Sequence, residues 1–340
     1  MKDIRSMTIA ELRLLMEEMG EKPYRASQLF SWLHREAVTD YDEMTNLPKG
    51  LRDTLREDYP LTVLRLEALQ VSGEDGTRKY LFLMPDGNCV ETVCMQYHFG
   101  ISVCVSSQVG CRMGCRFCAS TLEGCARSLM PSEILEQVYA VERDLKKRIS
   151  HVVVMGMGEP FDNYENVMGF VDLLTSEEGH HLSARGITVS TCGLIPGILR
   201  LAGEKRQINL AISLHAATQE KREALMPVAK RYSLTDLMEA CRTYYASTHR
   251  QITFEYALVK GENDSLADAD ALKDLLKGLN CMVNLIPVNP VTETGYKPTE
   301  KTDVLKFKER LEKYGIHVTI RREMGRDIDG ACGQLRRGRL

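Results

Sequence analysis

The chain has 340 residues, a formal net charge of -3, 44% hydrophobic and 27% charged residues. That mixture excludes a disordered or collagen-like chain, and no apolar run approaches the roughly 20 residues needed to span a bilayer. The N-terminus carries Asp3, Arg5, Glu11 and Arg13 instead of an apolar stretch, so a secretory signal is not expected and a cytoplasmic location is. At roughly 150 residues per domain, the length suits one large domain and a smaller one.

The first elements read as helices. Thr8 and Glu11 form a capping box ahead of Ile9, Leu12, Leu15, Met16 and Met19 at helical spacing, and Gly20 ends the run. A second helix is expected over Ala26 to Glu36 and a third after Pro48, through Leu51 and Leu55. After Pro60 the pattern shortens to the alternating runs Leu64–Val71 and Lys79–Met84, separated by turn residues, which reads as a small meander.

From residue 100 strands and helices alternate. Strand-like runs fall at Ile101–Val105, His151–Met155, Ile187–Ser190, Ile208–Leu214, Ile252–Leu258 and Met282–Val288, with a last one at His317–Arg321. Helical patterns intervene at Ser132–Arg148, Tyr164–Leu174, Ile198–Ala202, Leu234–Tyr245, Leu266–Leu279 and Thr302–Tyr314. Six βα units predict an α/β fold, a partial and open (β/α)6 TIM-like barrel, with functional residues at the C-terminal ends of its strands. The expected division is an accessory N-terminal domain over 1–96, a core over 97–327 and a C-terminal segment over 328–340.

Eleven cysteines stand out. In a reducing compartment, closely spaced cysteines mark metal or redox chemistry more than structural disulfides. Cys89, Cys94, Cys125, Cys192, Cys241 and Cys281 lack partners at metal-like spacing and read as small apolar fillers. Cys111, Cys115 and Cys118 fall within eight residues, and three soft thiolates suit one face of an iron–sulfur cluster. The competing reading is a structural zinc knuckle with Cys125 as a distant fourth ligand.

Several polar residues lie at strand ends. Gly156-Met-Gly158-Glu159-Pro160 ends the second core strand; its glycines would let a ligand approach the backbone, and Glu159 offers an acceptor for an ammonium group. Ser190 ends the third strand, Ser213 and His215 the fourth, and Asn289 the sixth. Ser213 and His215, two apart, are expected on one face of a strand. Near the C-terminus Cys332 sits among glycines and arginines, a setting that favours a reactive thiolate. Arg321, Arg322, Arg326, Arg336, Arg337 and Arg339 make that end basic, which suits a local RNA contact despite the net negative charge.

These stretches together resemble the RlmN branch of the RlmN/Cfr family of radical S-adenosylmethionine methyltransferases. The resemblance rests on Val103-Cys-Val-Ser-Ser-Gln-Val-Gly-Cys111, Cys111 to Cys118, Gly156-Met-Gly-Glu-Pro160, Ser213-Leu-His215, Asn284-Leu-Ile-Pro-Val-Asn289 and Asp327-Ile-Asp-Gly-Ala-Cys-Gly-Gln334. It implies one [4Fe-4S] cluster on Cys111, Cys115 and Cys118, with S-adenosylmethionine on the open iron. It implies cofactor contacts from Gly158, Glu159, Ser190, Ser213, Leu214, His215 and Asn289. It further implies that two S-adenosylmethionine molecules are used per turnover: one methylates Cys332, the other yields the radical that activates that methyl group for addition to adenine carbon 2. Cys104 would then attack the Cys332 sulfur, releasing the product and leaving a transient disulfide. Glu91 matches the family's proton acceptor, although the residue by itself reads as a surface strand position.

The implied substrates are an adenosine in the peptidyl-transferase region of 23S ribosomal RNA and an adenosine beside the tRNA anticodon. A flavodoxin or ferredoxin would donate electrons, and a monomer is expected. The competing readings are a Cfr-type adenine C8 methyltransferase, a glycyl-radical activase, and a zinc-dependent RNA-binding module without enzymatic activity.

Overall fold

A computed structural model describes residues 3–287, 295–322 and 324–328. Asn289, Cys332, Arg336, Arg337 and Arg339 lie outside the described residues, as does all but the first residue of the 328–340 segment.

The N-terminal helices form where their caps dictate. Helix α1 (Ile9–Glu18) starts at the Thr8–Glu11 capping box, and Gly20 follows it in the left-handed region. Helices α2 (Tyr24–His34) and α3 (Lys49–Asp58) follow, α2 starting two residues earlier than its apolar spacing suggests. The fully buried Arg5 ties this lobe to the core, pairing with the equally buried Glu136 and donating to the carbonyls of Thr62 and Val38.

Strands β1 (Arg65–Val71), β2 (Arg78–Leu83), β3 (Cys89–Tyr97) and β4 (Gly100–Cys104) form an antiparallel series. After β4 the chain makes a separate short hairpin, β5 (Gln108–Gly110) with β6 (Cys125–Ser128), and then α4 (Pro131–Leu145). The parallel repeat then runs β7 (His151–Val154), α5 (Tyr164–Thr175), β8 (Ile187–Thr191), α6 (Ile195–Glu204) and β9 (Asn209–Ser213). It continues through α7 (Gln219–Leu225), α8 (Leu234–Thr248), β10 (Ile252–Leu258), α9 (Leu266–Leu276), β11 (Cys281–Pro287), α10 (Lys301–Lys313) and β12 (His317–Ile320). The hairpin β5–β6 and helix α7 have no counterpart in the sequence periodicity, being too short to establish a period.

All the strands except β5 and β6 join one sheet in the order β1-β2-β3-β4-β7-β8-β9-β10-β11-β12. From β4 onward every neighbouring pair is parallel, so six βα units and a closing strand make the expected partial barrel. The sheet crosses residue 96 without a break, because β3 pairs with β4 from Val93–Cys104 to Tyr97–Gly100.

One face of the parallel strands is apolar and packs on the helices, through Val103, Val152, Val154, Val189, Leu210, Ile212, Phe254 and Val283. Side chains alternate along a strand, so Cys104, Val153, Ser190, Ser213, Glu255 and Asn284 occupy the opposite, inner face. None of the described helices is long and apolar enough to cross a membrane.

Candidate active site

The thiol loop follows β5. The amide of Cys111 donates to the Gly124 carbonyl, fixing the loop to the hairpin at 2.8 Å. A tight turn then closes from the Cys118 amide to the Cys115 carbonyl, and Thr121 Oγ1 donates to both Cys115 and Cys118 carbonyls. Gly114 takes a left-handed φ of 72° at the bend. The three thiols lie near enough to perturb one another. Burial, and then the neighbouring Cys118, Glu159 and Cys125, push the Cys111 thiol up to about 12. Burial and then Cys118 and Cys111 push Cys115 up as well. Thiols crowded this way are stabilised as thiolates by a bound cation, and three of them on one loop fit three corners of a cubane cluster. Among the described residues, no three ligating side chains gather tightly enough to hold a single metal ion. Cys125 stands on β6 opposite Gly110, near enough to Cys111 to raise its proton affinity.

Glu159 follows β7 and is almost fully buried. Its Oε1 accepts from the Phe161 amide at 3.0 Å and its Oε2 from the Cys192 amide at 2.7 Å, joining the loops after β7 and β8. Burial raises its proton affinity, and the hydrogen bonds from Cys192, Thr191 and Phe161 oppose that rise only in part.

The glycines before it are required by the packing of the chain itself. A Cβ on Gly156 would lie 2.7 Å from the Val105 carbonyl oxygen, and one on Gly158 would lie 2.6 Å from Gln108 Cβ. Thus the close approach is made by the chain's own backbone: the Met157 carbonyl accepts from the amides of Ser107 and Gln108.

Ser190 Oγ and Ser213 Oγ lie 3.4 Å apart on β8 and β9. The shared strand face expected for Ser213 and His215 does not exist. Strand β9 ends at Ser213, Leu214 turns into the apolar core, and His215 has a φ of 56°. His215 Nδ1 accepts from the Ala257 amide at 2.9 Å, so the neutral ring carries its proton on Nε2. Burial, reinforced by Arg222, lowers its pKa to about 3, and Phe117 of the thiol loop packs edge-on against the ring.

On the other side, Cys104 pairs in register with Val93, and Val93 with Lys79. Register partners share a sheet face, and Glu91, two residues before Val93, shares it too. Glu91 is not the surface residue its sequence surroundings suggest. It is 3% exposed, and its Oε2 lies 3.1 Å from Nζ of the fully buried Lys79. Cys104 is itself buried with Val93 and Met95, and Tyr97, Val153, Met155 and Met324 pack around them.

Sequence reasoning missed Lys79, Cys192, Arg222 and Glu255. Lys79 lies in an alternating strand, where only the register reveals its carboxylate. Arg222 is buried beside the thiol loop with its Nη2 donating to the Cys192 carbonyl, whereas its Nε and Nη1 find no partner among the described residues. Glu255 is buried in the inner face and accepts from Asn284 Nδ2 at 2.9 Å; burial raises its carboxyl affinity for a proton.

Comparison with known proteins accounts for this arrangement. Residues 2–60 match the ribosomal RNA large subunit methyltransferase N-terminal domain, and residues 105–272 match the radical SAM superfamily. A probable dual-specificity RNA methyltransferase RlmN from Lachnospira eligens is 55% identical over 336 residues, 99% of this chain and 96% of that protein. The chain belongs to the RlmN family. A second RlmN relative, from Clostridium novyi, is 49% identical over 99% of this chain and 98% of its own length. A crystal structure of a radical SAM methyltransferase from Sphaerobacter thermophilus superposes with a TM-score of 0.94 at 44% identity, covering 98% of this chain and 99% of that one. Membership in the RlmN family carries with it the [4Fe-4S] cluster and S-adenosylmethionine.

Proposed function

We propose that this enzyme methylates carbon 2 of an adenosine in 23S ribosomal RNA, and an adenosine beside the tRNA anticodon, through Cys332 and Cys104. The observation that carries the reading is the inner wall shared by Cys104 and Glu91, against which Met324 packs eight residues before Cys332. The RlmN names of the relatives support the RNA substrates.

When bound, the cluster and S-adenosylmethionine supply radical chemistry, needed because adenine carbon 2 bears no acidic proton. Cys111, Cys115 and Cys118 would hold the cluster. Gly158, Glu159, Ser190, Ser213, Leu214, His215 and Asn289 would hold S-adenosylmethionine, with His215 Nε2 as a donor. Glu91 would accept the proton that leaves carbon 2. In the Lys79–Glu91 pair the ammonium can only donate, so the carboxylate is the acceptor. Cys104 Sγ would bond to Cys332 Sγ as the bond from that sulfur to the product breaks, and a reductant would return the disulfide to two thiols. The N-terminal residues 1–96 and the basic C-terminal end would contact RNA.

Nucleoside analysis of ribosomal and transfer RNA from cells with and without the protein tests this. Loss of 2-methyladenosine from both RNAs is expected. Appearance of 8-methyladenosine on expression would assign the Cfr-type reaction instead.

A further inference from the structure

The segment that leads to Cys332 leaves β12 at one end of the sheet and reaches the β1–β2 turn at the other. There it makes two reciprocal links. The Gly73 amide donates to Asp327 Oδ2 at 2.7 Å, and the Gly325 amide donates to Asp75 Oδ2 at 2.9 Å. Each side thus gives one carboxylate and one backbone amide, across 254 and 250 residues of sequence respectively.

The turn is built to present these groups. Ser72 Oγ accepts from the amides of Glu74 and Asp75, and Asp75 Oδ1 accepts from the Thr77 amide. Partial burial raises the proton affinity of Asp75, but the amide of Gly325 and the hydroxyl and amide of Thr77 outweigh it and bring its pKa to about 2. The segment is shaped to fit. Gly325 has a φ of 64°, and a Cβ there would lie 3.0 Å from Ile328 Cγ1 and 3.2 Å from Thr77 Cγ2. Between β12 and the clasp, Met324 packs on the wall containing Cys104.

We infer that Asp75 and Asp327 are positioning residues that hold the stem of the Cys332 segment beside Cys104, so that the two thiols meet at the resolving step. This rests on the proposed roles of Cys104 and Cys332. Cys332 lies five positions beyond Asp327, a reach of at most about 18 Å. Without the clasp, the last backbone hydrogen bond to the sheet among the described residues is that of the Arg321 amide to the Leu285 carbonyl, and Cys332 lies eleven positions beyond it. Effective concentration falls as about the −3/2 power of tether length, so lengthening from five to eleven lowers it about threefold.

The test measures the Cys104–Cys332 disulfide by peptide mass spectrometry in the full-length protein, after exposure of reduced enzyme to glutathione disulfide. Asp75→Ala, Asp327→Ala and the double variant are compared with the unaltered chain, with unfolding temperature as the control for fold. The double variant should form the disulfide about threefold more slowly at unchanged unfolding temperature. In turnover its kcat should fall while KM for RNA stays the same. A wild-type rate of disulfide formation in the double variant overturns the clasp. Absence of the disulfide in the unaltered protein, with full methyl transfer by Cys332→Ala, overturns the underlying reading instead.

Discussion

Lys79 Nζ lies 3.1 Å from Glu91 Oε2 in a wall where the two side chains are 0% and 3% exposed. A buried ion pair is costly to split, because the remaining charge has no water to replace its partner. Lys79→Met should therefore destabilise the protein by about 3–5 kcal/mol in denaturant unfolding. Lys79→Met with Glu91→Leu should recover most of that stability while methyl transfer stays lost. A single-variant cost below about 1 kcal/mol would show that the pair is solvated.

Cys332→Ala removes the proposed methyl carrier, so RNA methylation should become undetectable. Cys104→Ala leaves the carrier but not the resolving thiol. That variant should accumulate protein covalently joined to RNA, visible as a slowly migrating band that nuclease shortens. Full turnover by Cys104→Ala would remove the disulfide step.

Cysteine changes also separate cluster from zinc. Anaerobically purified protein should be brown, with about four irons per chain. Cys118→Ala should lose most of the iron and the absorbance near 400 nm, whereas Cys125→Ala should keep both. Equal loss in Cys125→Ala, with one zinc in the unaltered protein, would favour the knuckle.

His34 makes stability depend on pH. It is fully buried between α2 and α4; its Nδ1 lies 3.1 Å from the Tyr139 hydroxyl and its Nε2 has no partner among the described residues. Burial, then Arg5 and His180, lowers its pKa from 6.5 to about 3. The folded state therefore favours neutral His34. This contribution is whole above pH 6.5 and is lost as pH falls from 6.5 toward 3. Between pH 6.5 and 5 the loss is about 2 kcal/mol. His34→Asn should flatten the unfolding free energy by that amount over this window; an unchanged slope would assign the titration elsewhere.

Gly158 has a φ of 104°, and a Cβ there would lie 2.8 Å from the Gln108 amide nitrogen. Gly158→Ala combines backbone strain with overpacking, each costing about 1–3 kcal/mol. The protein should melt several degrees lower and bind S-adenosylmethionine more weakly in calorimetry. An unaltered melting temperature would mean that the β5 segment yields easily.

The sequence by itself determined the repeat and the chemistry. Six apolar strand–helix alternations are periodic enough to imply a partial barrel, and Cys111, Cys115 and Cys118 are local enough to imply a cluster. The capping box at Thr8 and Glu11 is likewise a short-range pattern. Tertiary structure decided what depends on register and on distant chain crossings. Glu91 looks solvent-facing in its own segment, and only the pairing of β2 with β3 and of β3 with β4 buries it against Lys79 on the face that bears Cys104. The glycines at 156 and 158 read as a ligand cradle, and only the fold shows that the β4–β5 segment stands where their Cβ atoms would be. Gly73 and Asp327 are 254 residues apart, and no local pattern could join them. Periodicity records which face of an element is apolar; which polar groups meet across elements is fixed only when the sheet closes its register.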